Sequence, residues 1–265
     1  MIKVSVIIPS YKDPLLHKTI DSLLVMSGLG EELEIIPVCD GYLPETPIVK
    51  DDRVRPIYLG SNVGMRRAIN AVIRIARGEY LMRADEHQVF GERYDLILSS
   101  QTESNWIVTP RRYFLDTINW EVMDIPPVDF MKLKIVNVRE GVRKFSGVEA
   151  PGDNSQPIQE SMAMQGSCWF MPHKWWDDVI GELQNEGYGP HYQDSHEMVF
   201  KTWKAGGKLF VNKNTWHAHK ERSFPRTHNN GTAENPSNNE ACWAYSLSQW
   251  EDYFRKEIEP LWHTK

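Results

Sequence analysis

The chain has 265 residues, with 30 lysines and arginines against 36 aspartates and glutamates, for a formal charge of −6. With 41% hydrophobic and 25% charged residues it has core enough for one sizeable α/β domain, and no apolar stretch approaches the ~18 residues a membrane-spanning helix needs. Cys39, Cys168 and Cys242 are odd in number and widely spaced, which argues against a disulfide framework or a paired-cysteine metal site. A strand-like segment opens at Ile2 without a charged and then apolar leader, so the expected location is cytoplasmic.

Residues 3–9 (KVSVIIP) form a buried-strand pattern, short, β-branched and closed by Pro9-Ser10. Residues 13–25 set Leu15, Leu16, Ile20, Leu23 and Leu24 on one helical stripe. Residues 34–39 make a second strand ended by the turn pair Asp40-Gly41, and 54–59 a third that Pro56 assigns to an edge. Residues 62–76 are helical in pattern, with Gly78 as the expected stop, and 79–85 return to strand. This alternation predicts a mostly parallel sheet flanked by helices. Right-handed crossovers then bring Pro9, Asp40 and Asp85 to one carboxyl edge, where open α/β sheets bind ligands.

The second half is less regular. Residues 106–120 suggest strand and hairpin, 124–129 loop, and 150–157 a turn-rich segment. Residues 132–144 carry five basic side chains against Glu140 alone. A strand is expected over 164–171, helices over 174–184 and 193–205, and a short strand over 208–211. Residues 222–239 form a long polar loop suited to a lid, and 241–261 an aromatic amphipathic helix. With no repeat and no linker, a single domain is expected.

Asp85-Glu86-His87 is the most informative tripeptide. At a strand end, residues i and i+2 point the same way, so Asp85 and His87 can reach one ion while Glu86 faces elsewhere. A carboxylate with an imidazole suits Mn2+ better than Ca2+. His217-Ala218-His219, if extended, likewise puts both rings on one side. Asp194 and Glu197 share a face near a helix N-terminus, where the dipole favours acids. Arg83 interrupts an apolar strand; a buried arginine demands a carboxylate, which draws it towards the site.

The segments VSVIIPSYKD, VCDGY, NVGMRRAINAVIRIARGEYL and RADEH, in that order, resemble the nucleotide-sugar half of the GT-A glycosyltransferases, in the arrangement of glycosyltransferase family two. Further on, MQGSCWFMPHKWW and then YQDSHEMVFKTWKAGGKLFV with a His-rich exit are similar to the polypeptide N-acetylgalactosaminyltransferases, whose metal motif is Asp-x-His. The resemblance spans residues 3–220. It implies a GT-A, Rossmann-like α/β fold in one domain: residues 1–100 the nucleotide-binding half, 101–221 the acceptor and catalytic half, 222–265 a loop and closing helix.

Carried over by position, the resemblance implies that Pro9, Ser10 and Tyr11 line the nucleotide and that Asp40 contacts uridine. It implies metal binding by Asp85, His87 and His219, with His217 in reserve, and a donor-sugar pocket at Gly166 and Ser167. Asp194 falls where a general base or substrate-binding acid sits. Arg67 is placed to meet the donor diphosphate, whereas Arg66 is expected on a solvated helix face. Trp169, Trp175 and Trp176 divide between core and stacking on a sugar, at least one going to the core. The implied cofactor is Mn2+ or Mg2+ and the implied donor a UDP-sugar.

Two departures matter. Members usually carry two acids where this chain has Cys39-Asp40, and the QxxRW motif of processive synthases is missing, which favours transfer of a single sugar. The GxGTRL-type loop of sugar nucleotidyltransferases is missing too. The implied acceptor is a hydroxyl of a glycan, a protein or a hydroxymethylated DNA base of the kind viral enzymes of this fold modify. For the last, residues 132–144 with Lys220, Arg222 and Arg226 offer charge to phosphates. Two other readings compete: a non-catalytic nucleotide-sugar binding module, and a metal-dependent hydrolase built on Asp85, His87, His217 and His219. Asn230-Gly231-Thr232 fits a glycosylation sequon and is taken as coincidence.

Overall fold

Every residue of β1 (Val4–Ser10) and β2 (Leu33–Asp40) is buried, the mark of strands covered on both faces. The computed structural model describes all residues except 151, 154, 190, 191, 221–235, 264 and 265, and backbone alone at 236–238. With β3 (Ile57–Leu59) and β4 (Tyr80–Ala84) these strands form a parallel block in the order β3-β2-β1-β4. The connecting helices are α1 (Leu16–Met26) and α2 (Met65–Ile73).

Beyond β4 the sheet becomes mixed. After β5 (Gln88–Phe90) and α3 (Tyr94–Gln101) come β6 (Trp106–Asp116), β7 (Glu121–Val122), the hairpin β8 (Met131–Arg139) and β9 (Val142–Glu149), and β10 (Ile158–Glu160). Next are β11 (Cys168–Pro172), α4 (His173–Trp175) with a π turn over 176–180, α5 (Asp194–Lys204) and β12 (Lys208–His219). The chain closes with α6 (Pro236–Tyr253), a second π turn and α7 (Glu259–Trp262). β11 lies antiparallel between β4 and β6, and β12 runs parallel to β6.

Alternate residues of the sheet feed two cores. Val6, Ile8, Ile35 and Met82 pack with Leu16, Ile20 and Leu23 of α1 and Leu98 of α3. Ile7, Ile36, Leu81 and Trp169 pack on the opposite face with Ile69 and Val72 of α2, Val199 and Phe200 of α5, and Phe254 and Trp262. The architecture is therefore the expected single α/β domain.

Several predicted boundaries move. Gly78 does not cap α2, which ends at Ile73; Gly78 runs so close to β1 that a Cβ there would sit 2.4 Å from the Ser5 nitrogen. The expected helix over 174–184 stops at Ile180, because Gly181 turns the chain with φ +66. The short strand over 208–211 is instead the twelve-residue β12, whose pairing with β6 slips between Asn212 and Trp216 and then resumes. Its Asn-rich middle hides that continuation. Of the expected loop over 222–239, residues 222–235 lie outside the described residues, as do Arg222, Arg226 and the Asn230 sequon; residues 236–239 are helical. Among the described residues no helix is long and apolar enough to cross a membrane.

Candidate active site

At the end of β4, one of the three strand ends expected to converge, a cluster is assembled by β5 and β12. The chain leaves β4 through Asp85-Glu86-His87 and enters β5 at once, and β5 pairs antiparallel with the end of β12, setting His219 opposite Gln88. That pairing brings a histidine from far along the chain beside the tripeptide. Ligand atoms of Asp85, His87 and His219 lie within 4.8 Å of one another. The two imidazoles are 4.8 Å apart centre to centre, and His219 Nε2 is 3.3 Å from Asp85 Oδ2.

His217 does not join them. Two residues back along an extended strand is ~7 Å away, and there its ring is fully buried beside Phe90. Burial pushes its pKa well below the ordinary histidine value, so the ring is neutral. The reserve assignment is therefore set aside, and with it the four-residue set of the hydrolase reading. Alternation placed both rings on one side of the strand, but it carries no information on depth.

Arg83 is buried and joins two carboxylates: its guanidinium donates to Asp85 Oδ1 and to Asp194 Oδ2, each at 2.7 Å. Burial alone would push the Asp85 carboxyl up, but the Arg83 charge and the His219 contact hold it well below the usual carboxylate range. The tripeptide therefore presents a charged carboxylate, as metal binding requires. The chemistry of the same three side chains fits Mn2+ or Mg2+: one anionic oxygen and two imidazoles, with the buried His219 Nδ1 lacking a hydrogen-bond partner among the described residues.

A cleft of about 400 Å³ opens beside this cluster. Asp85, His219, Arg83, Asp194, Gly166 and Ser167 all line it, so two of the three residues expected to hold a metal meet there with Asp194 and the expected donor-sugar residues, while His87 lies behind them. The loop before β11 is tied to the tripeptide: the Ser167 carbonyl accepts from the Asp85 backbone at 3.1 Å and from Gln88 Nε2 at 3.0 Å. Sequence reasoning missed the rest of the wall. Met131, Gly147 and Glu149 come from the β8–β9 hairpin, Arg112 from β6, and His196 from α5. Arg112 is paired with Glu149.

The expected nucleotide residues sit apart from that wall, at the ends of β1 and β2. Ser10 Oγ and the Tyr42 hydroxyl are hydrogen-bonded, and the Tyr11 and Tyr42 rings meet edge to face at 6.1 Å. Glu86 reaches this loop and takes the Tyr11 N–H at 2.7 Å, but it does not face away from His87 as expected: its other oxygen lies 4.0 Å from His87 Nδ1, because the chain bends at the tripeptide instead of continuing as strand. Asp40 is buried and accepts from the Val63 and Gly64 backbones at 2.7 and 2.8 Å and from Asn62 at 3.1 Å, so it braces the turn into α2. Burial raises its pKa, against the pull of those two amides. Gly41 has φ +74, and a Cβ there would meet the Asn62 nitrogen at 2.1 Å.

Arg67 is exposed on α2. Arg66, expected on a solvated face, is instead fully buried; it is paired with Glu197 at 2.5 Å, bonded to the Gln184 and Tyr192 carbonyls, and stacked on Tyr188. The helix stripe did not reveal this because α5 covers that face. Trp169 and Trp176 are buried and stacked 5.8 Å apart, and Trp175 packs against the same core.

Of the basic run over 132–144, Arg139 and Arg143 pair with Glu240 and Glu251 of α6, and Lys144 lies over the Trp243 ring. Much of its charge fastens the hairpin to that helix.

Residues 5–126 match the family model of Glycosyl transferase family 2. A crystal structure of GalNAc-T7 with UDP, GalNAc and Mn2+ aligns at a TM-score of 0.70 and 16% identity, over 96% of this chain and 50% of that one. The chain thus spans half the length of that protein. No curated protein sequence matches. The molecule has the GT-A fold of glycosyltransferases.

Proposed function

We propose that the chain is a metal-dependent glycosyltransferase that moves one sugar from a UDP-sugar to an acceptor hydroxyl. The observation that carries the reading is the meeting of Asp85, His87 and His219 at the end of β4, beside a cleft lined by Arg83 and Asp194. A Mn2+ or Mg2+ ion held by those three side chains would neutralise the leaving diphosphate. A match to a crystal structure holding UDP and Mn2+ supports both the donor and the ion.

The chain's own residues divide the remaining work. Pro9, Ser10 and Tyr11 line the nucleotide, with Tyr42 braced against Ser10. Asp40 supports them by fixing the turn at 62–64 rather than by offering a free oxygen. Gly166 and Ser167 border the donor sugar, and Arg67 reaches its diphosphate from the exposed face of α2. Arg83 occupies Oδ2 of Asp194, which leaves Oδ1 to engage the acceptor hydroxyl and take its proton.

The test is release of UDP from a panel of UDP-sugars, in Mn2+ and in EDTA, without acceptor and then with glycan, peptide and hydroxymethylated duplex DNA. The expected result is UDP release that needs the metal, rises with one acceptor and drops at least ~100-fold in Asp85→Ala. UDP release unchanged by EDTA, or no release from any UDP-sugar, would contradict the reading.

A further inference from the structure

His87 belongs to two groups of three side chains. One is the candidate ion site with Asp85 and His219; the other is the buried trio Asp13, Glu86 and His87. In the second group His87 Nδ1 is 3.0 Å from Asp13 Oδ2, and both side chains are almost wholly buried. Asp13 Oδ1 accepts the Leu15 N–H at 2.8 Å, which anchors the carboxylate at the start of α1. One Glu86 oxygen is taken by the Tyr11 backbone.

A neutral imidazole carries one proton, and a carboxylate on Nδ1 keeps it there. Nε2 is then the nitrogen with a free lone pair. We infer that Asp13 is a positioning residue for the metal site: it fixes the tautomer and plane of His87 so that Nε2 faces the ion, and the buried trio is the support of that site. The inference rests on the metal-dependent reading above and adds a residue to it.

The setting fits that role. Helix α1 grips the tripeptide and the strand after it at several points. Thr19 Oγ1 donates to the Glu86 carbonyl at 2.8 Å and accepts from the Gln88 N–H at 2.9 Å, and Ser22 Oγ accepts from Phe90 N–H at 3.0 Å. Lys12, just before Asp13, holds the left-handed conformation at φ +60, a turn that carries the carboxylate back towards β4. Among these contacts the one from Asp13 alone reaches the imidazole. Metal-bound histidines commonly hold such a carboxylate on the other nitrogen, and losing it typically costs 10–100-fold in metal affinity.

The experiment is Mn2+ titration followed by electron paramagnetic resonance of the free ion, without nucleotide, on the unaltered chain, Asp13→Asn and Ser22→Ala. Thermal midpoints are measured alongside in EDTA. Ser22→Ala removes a bond of the same helix to the same segment without touching the ring, so it reports simple loosening. The expected result is Mn2+ affinity weakened about 10–100-fold in Asp13→Asn and within about twofold of the unaltered chain in Ser22→Ala. Equal affinity in Asp13→Asn and the unaltered chain overturns the inference alone, as does an equal loss in both variants. An unaltered chain that binds no Mn2+ overturns the metal-dependent reading as well. Should Asp13→Asn not fold, long-range proton–nitrogen spectra of the unaltered chain with Zn2+ decide the point. A proton on Nδ1 and a metal-shifted Nε2 of His87 support it; metal on Nδ1 overturns it.

Discussion

Arg83 serves two carboxylates that belong to different elements, Asp85 after β4 and Asp194 at the start of α5. Removing it leaves two largely buried anions facing each other across the cleft, which costs about 3–5 kcal/mol where a buried pair is broken from one side. Arg83→Met is therefore predicted to lower stability by about that much in metal-free urea titrations. Saturating Mn2+ should restore part of the loss, because the ion returns positive charge and binds the folded state alone. The sequence made Arg83 and the Asp-x-His pair visible, since an arginine inside an apolar strand and a polar tripeptide at its end both break a pattern. Asp13 was invisible: its partner is 74 positions away, and nothing in local spacing signals a hydrogen bond across that distance.

At the scale of elements, Glu34 shows how the parallel block is fastened. Its buried carboxylate accepts from Ser5 of β1 at 2.6 Å, from Arg55 at 3.0 Å and from Arg77 at 2.7 Å. Burial pushes its pKa up, but these donors together hold it below the ordinary glutamate value. A group shifted downward contributes stability that is present above the unfolded value, about 4.3, and is lost as pH falls through the folded one. Glu34→Gln should therefore cost about 1–3 kcal/mol at pH 7. Chemical denaturation at pH 7 and pH 3 should show a smaller difference for the variant than for the unaltered chain. An equal difference would assign the acid sensitivity elsewhere. The strands and helices of this block were legible because both periodicities were clear. The second half was not, since β12 hides behind Asn212 and Asn214, and β5 is three residues long and sets its register only through a distant partner.

Across the whole molecule, the C-terminal segment joins the cleft wall to α5. Phe254 is fully buried and touches Phe145 of β9 and Phe200 of α5, with ring centres 5.5 and 6.4 Å away. Phe254→Ala is predicted to cost about 3–5 kcal/mol in stability. It should also loosen the hairpin that supplies Met131, Gly147 and Glu149 to the cleft, seen as faster amide exchange across β8 and β9 than across β1 and β2. The single-domain α/β architecture followed from the alternation of the first 85 residues and from the ordered motifs after them. The hairpin's place over the cleft did not follow, because its basic run looks like a solvated or phosphate-binding surface until Glu240 and Glu251 of α6 are brought beside it.

The central claim, that Asp85, His87 and His219 form the metal centre of a UDP-sugar site, is tested most directly by calorimetric titration of UDP into the unaltered chain and Asp85→Ala, each with and without Mn2+. The account predicts UDP binding that requires Mn2+ in the unaltered chain and is lost in Asp85→Ala. UDP binding of equal strength in EDTA, or binding in Asp85→Ala that matches the unaltered chain, would contradict it.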